Sequence, residues 1–196
     1  MIDYVTLLLV NMSAGYGLLA WFVLKGFDAA DKRVWAGGFA VVGLVAMTFG
    51  GHLTVNWLLP GAYSSMYGEM SVLFGGVFLG AALCMSLGWD LTAVAGYGAL
   101  AGAGAVLLGV RMIDLEMTQM PLLSGAGFIL SGMGGVCALP VWLWFREHRM
   151  VRIAGMLAML GAAAIWGFIG FLAYWGHAES FGEWVPVLMR GAEGPG

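Results

Sequence analysis

Six apolar runs, each long enough to cross a bilayer and separated by short loops, constrain this chain more than any other feature. A helix needs about 20 consecutive apolar residues to span the hydrocarbon core. Six such stretches, at about residues 4–24, 34–58, 69–87, 91–113, 121–145 and 153–175, predict one all-α domain. The expected fold is a bundle of six transmembrane helices followed by a short polar tail over 177–196, with Trp184–Met189 lying in the membrane interface. Composition agrees. Only 10% of the residues are charged and 61% are hydrophobic, whereas a soluble domain carries roughly 25% charge. The first run has no basic segment before it and no small-residue cleavage site before Lys25, so it reads as a retained helix rather than a signal peptide.

Local signals place the helix ends. Pro60 closes the second run and Gly88 the third. Pro121 suits a first helical turn, and Pro140 should kink the fifth helix near its end. Trp35, Trp57, Trp89, Trp142, Trp144, Trp175 and Trp184 fall near span ends, as an aromatic belt would. Cys84 and Cys137 lie inside apolar runs, with no spacing that points to a disulfide or a zinc site; they read as small core residues.

Orientation follows from the basic residues. Lys25, Lys32, Arg33, Arg146, Arg149 and Arg152, six of the eight Lys and Arg, flank the exits of the odd-numbered helices. The positive-inside rule makes that side cytoplasmic and puts both termini outside, in the cytoplasmic membrane of a prokaryote. The cluster at Arg146–Arg149 reads as a topogenic charge group that meets anionic lipid. No nucleic-acid signature is present.

Glycine is dense in the spans. Gly76 and Gly80, and Gly98 and Gly102, are four residues apart, and Gly132, Gly134 and Gly135 crowd the fifth run. Small residues let helices approach closely in lipid. Such faces serve either a tight bundle within the chain or an interface with other membrane subunits or a second copy.

Intramembrane ionisable groups are where chemistry is to be sought, because a charge in lipid is costly. A rise of about 1.5 Å per residue puts His52, Glu69 and Arg111 some 27–30 Å from the cytoplasmic boundary, at one level near the outer face. Thr48, His52 and Asn56 follow at intervals of four on one helix face, which should turn inward or toward a water-filled cavity. Three arrangements are open. In the first, Glu69 pairs with Arg111 in a structural polar cluster that includes Thr48, Asn56 and Asp114. In the second, His52, Glu69 and His177 hold copper, iron or zinc, chemistry that suits imidazole and carboxylate ligands. In the third, His52 and His177 hold haem, although His177 lies about 9 Å higher by the same count. The outer half also holds Met47, Met66, Met70, Met112, Met117 and Met120, thioethers that suit Cu(I) or simply fill a core.

No nucleophile elbow, phosphate-binding loop or zinc-protease motif occurs. The chain therefore reads as a small integral membrane subunit of a larger complex, of respiratory, oxygenase or similar type, without independent catalytic activity. The alternatives are a protein with its own metal or haem site, or a small transporter.

The stretch Gly51-His52-Leu53-Thr54-Val55-Asn56-Trp57-Leu58-Leu59-Pro60-Gly61, with Tyr67-Gly68-Glu69, Gly88-Trp89-Asp90-Leu91 and Tyr174-Trp175-Gly176-His177, resembles an uncharacterised prokaryotic membrane-protein family, domain of unknown function 981. The resemblance covers nearly the whole chain. It implies a multi-helix membrane protein and brings no activity with it, but it adds weight to His52, Glu69 and His177.

Overall fold

A computed structural model describes residues 4–180 and 182. Six helices are long and apolar enough to cross a membrane. They are α1 (Tyr4–Gly26), α2 (Arg33–Asn56), α3 (Ser64–Leu87), α4 (Thr92–Asp114), α5 (Pro121–Phe145) and α6 (Arg149–Ser180). The tail expected beyond the sixth span is helical through Ser180, and Trp184–Met189 lies outside the described residues. The end where α1 begins is called the upper end below, and the end where it finishes the lower end.

The start of α3 and the winding of α5 differ from the sequence reading. The Gly/Tyr/Ser-rich stretch before Glu69 is the first part of α3, wound as a π-helix over Ser64–Glu69. The Ser64 hydroxyl accepts the Leu59 N–H at 3.0 Å and so ties the preceding turn to this start. In α5 the α-helical geometry gives way just after Pro140 to a π-helical turn, Val141–Phe145. Proline has no N–H to give to the carbonyl four residues back, which loosens the ladder there. Pro121 opens α5, and Gly88, at φ +71°, ends α3 while Trp89 N–H reaches back to the Cys84 carbonyl at 2.8 Å.

Each helix packs on the next, and α6 returns to α1, so the six form a closed ring. Three neighbouring pairs are closest: α4 with α5, α2 with α3, and α1 with α6. Glycine sets this closeness. A Cβ on Gly43 of α2 would stand 2.8 Å from the Leu79 nitrogen, and one on Gly75 of α3 would stand 2.8 Å from the Met47 nitrogen. Gly102 and Gly132 face each other's backbone across α4 and α5 in the same way. Gly76 looks onto Tyr97, Gly80 onto Val94 and Gly98 onto Val77, all across α3 and α4. The glycine-rich faces are thus spent inside the chain, where dispersion between close backbones holds helices that lipid gives no reason to associate.

Candidate functional site

The expected charged level at the upper end does not assemble as one cluster. Glu69 is exposed and accepts a hydrogen bond from Ser65, one turn back on α3, at 2.7 Å. Arg111 pairs with Asp114 on its own helix, both more than half exposed. The expected Glu69–Arg111 pair is therefore replaced by two local ones. A local partner costs less side-chain entropy to hold than one reached across helices.

Thr48, His52 and Asn56 share a face as expected, but the face is exposed rather than turned inward. The inner face of α2 is taken by Gly43, Ala46, Gly50 and Leu53, which pack on α3. Asn56 donates to the His52 carbonyl at 3.0 Å, and its amide lies 3.1 Å from His52 Nδ1. The His52 ring meets Tyr4 edge-on at 5.0 Å. His177 Nδ1 lies 3.5 Å from the hydroxyl of buried Thr6. The two histidines therefore flank the first turns of α1 from α2 and from α6. Among the described residues, no three His, Cys, Asp or Glu side chains are grouped to hold a metal ion.

The methionines divide similarly. Met66 and Met112 are buried, and Met70 and Met117 pack against them in a cluster with Phe128 and Trp166, as core filler does.

The interior of the ring is more informative. A partly open cavity of about 440 Å³ runs through it, lined from all six helices. One wall is aromatic, with Phe22, Phe39, Phe74 and Phe78 on α1, α2 and α3. The lining from α4 and α6 is richer in small residues, among them Ala95, Ala101 and Ala105 of α4 and Ala154 and Ala158 of α6, beside the larger Val94 and Met159. Polar groups are few. Ser131 accepts the Trp166 indole N–H at 2.9 Å, and the buried Tyr16 also lines the cavity.

Met133, Cys137 and Ala154 line this cavity and are also exposed on the outside of the bundle. The cavity therefore opens sideways between α5 and α6. Cys137, expected as a small core residue, stands in that opening.

At the lower end Leu91 and Trp142 line the cavity on one face and a second, polar hollow on the other. Trp142 was expected in the interfacial belt. It is 8% exposed instead, edge-on to Phe27 at 5.5 Å, with the Arg146 guanidinium 5.3 Å from its ring centre. Trp57, Trp89, Trp144 and Trp175 are exposed, as belt residues are. Beside Trp142, Asp90 accepts the Thr92 N–H at 2.7 Å. Hydrogen bonds from Thr92, with lesser help from Trp142 and Arg146, hold the Asp90 carboxyl below its ordinary pKa.

Arg152 was read only as a topogenic charge and is in fact 8% exposed. Its guanidinium donates to the Val23 carbonyl at 3.0 Å, to the Leu24 carbonyl and to Asp28 at 2.6 Å. It closes the carbonyl end of α1, where helix acceptors lack partners. Nothing in the local sequence separates it from Arg146 and Arg149; only the packing of α6 on α1 does.

Residues 1–180 match the family described as protein of unknown function (DUF981). The chain belongs to the DUF981 family. No curated protein and no solved structure matches it. For this DUF981 chain, the cavity and its opening between α5 and α6 are the strongest functional geometry among the described residues.

Proposed function

We propose that the chain binds a lipophilic small molecule inside the membrane, taken laterally from the bilayer into the central cavity. One observation carries this: a partly open apolar cavity of about 440 Å³ that reaches the bundle surface between α5 and α6. Small-molecule sites commonly measure about 300–1,000 Å³ and are apolar with a few placed polar groups. Tyr16 and Ser131 supply such groups here. The test is extraction in mild detergent followed by mass spectrometry of the organic extract. A lipophilic compound should co-purify in stoichiometric amount and be lost from an Ala95→Phe/Ala158→Phe variant, which fills the cavity. Equal retention by that variant would sink the reading.

A second reading keeps the chain as a small subunit of a larger membrane assembly. The exposed stripe of Thr48, His52 and Asn56 favours it, because polar groups facing lipid gain from a partner. Native extraction should then give a particle well above 20.7 kDa after detergent is subtracted, and His52→Ala should shrink it. A monomer at native expression counts against this reading.

For topology we infer extracytoplasmic termini. Lys25, Lys32, Arg33, Arg146, Arg149 and Arg152 all lie at the lower end of the six helices. A reporter fused after Gly196 should be active outside the cytoplasm, and cytoplasmic activity would reverse the orientation.

A further inference from the structure

The cavity's lining on α1 runs from Met12 to Val23, about 16 Å at the helical rise. An extended hydrocarbon chain suits such a length better than a compact ring system.

At the lower end the cavity stops at Leu91 and Trp142, and on their other side lies the polar hollow of about 640 Å³. Lys32, Arg33 and Arg146 line this hollow together with Asp31 and Asp90. The two carboxylates accept local backbone N–H groups, Asp31 that of Arg33 at 2.9 Å and Asp90 that of Thr92, and Arg146 lies close enough to favour the Asp90 charge without pairing directly with it. Lys32 donates to the Ala29 carbonyl, a neutral group, at 3.2 Å. Among the described residues the direct ion pairs are Arg111–Asp114 and Arg152–Asp28, so none involves the three cations of the hollow. Two guanidinium forks and an ammonium thus surround a space large enough for a headgroup, and guanidinium matches carboxylate and phosphate oxygens in pairs.

Resting on the proposed lipophilic site, we infer that its ligand is a single-chain amphiphile with an anionic head. The tail lies in the central cavity, and the carboxylate or phosphate oxygens lie against Lys32, Arg33 and Arg146. Trp142 is the threshold between tail and head. Arg146 stacks on its ring, so a head that draws Arg146 away also frees Trp142 to turn aside.

The test uses the full chain in neutral detergent, at a pH where a fatty acid is ionised, with dibromostearate and the matching dibromostearyl alcohol as quenchers of tryptophan fluorescence. The wild type should bind the acid on the order of tenfold more tightly than the alcohol, the scale of one charged hydrogen-bonded contact. Lys32→Gln/Arg33→Gln/Arg146→Gln, all near the surface, should erase that preference, so that the variant binds the acid no more tightly than the alcohol. Ala95→Phe/Ala158→Phe should weaken both probes. A preference that survives in the neutralised variant overturns the headgroup assignment and leaves the cavity reading standing. So does a wild type that binds both probes equally. Undiminished binding of both by the filled variant overturns the cavity reading itself. A dibromo-alkyl phosphate bound more tightly than the carboxylate would assign the head to phosphate.

Discussion

The two ends of the bundle treat charge in opposite ways. At the upper end Glu69, Arg111 and His52, expected to share one level, are each exposed and partnered on their own helix or by an aromatic edge. At the lower end Arg152 is sunk between α1 and α6, where three acceptors from 23–28 fix it. Depth alone does not make a site. Burial and partners from other helices do, and only the lower end has them. The lower end also holds the closed threshold at Trp142 and the cationic hollow beside it, so binding chemistry concentrates there as well.

The contrast can be broken most directly at Arg152. Arg152→Met should cost about 2–4 kcal/mol, because the α1 carbonyls lose a charged donor while Asp28, itself largely exposed, falls back on water. Thermal unfolding in detergent measures this, and a loss no larger than that of an exposed substitution would erase the difference between the ends. The upper-end charges come next. Glu69→Gln and Arg111→Ala should each change stability by less than about 1 kcal/mol, since exposed local pairs contribute little. A loss of several kcal/mol from either would restore a coupled cluster there.

The smallest effect belongs to Asp90. Its folded pKa lies below its unfolded one, so its contribution is present above the ordinary carboxylate range and disappears as pH falls through the folded value. Asp90→Asn should therefore unfold slightly more readily than wild type at neutral pH, with the gap closing in acid. A gap that widens in acid would contradict the Thr92 hydrogen bonds as its cause. Solvent exposure keeps this effect small.

The six spans, the stop at Gly88 and the start at Pro121 were legible in the residues. Helix length and hydropathy are properties of consecutive positions, and lipid enforces them strictly. The azimuth of each face was not legible. Thr48, His52 and Asn56 lie outward because Gly43, Gly50 and the partner glycines of α3 claim the inward side of α2, a choice made by packing between helices. The cavity escaped the sequence for the same reason. Its alanine-rich lining on α4 and α6 and its aromatic wall on α1, α2 and α3 are far apart in the chain, and only ring closure through α6 and α1 sets them around one space. Arg152 and Arg146 look alike as neighbouring basic residues. The tertiary structure makes one a buried clamp and the other the lid on Trp142, because only one of them is carried against the carbonyl end of α1.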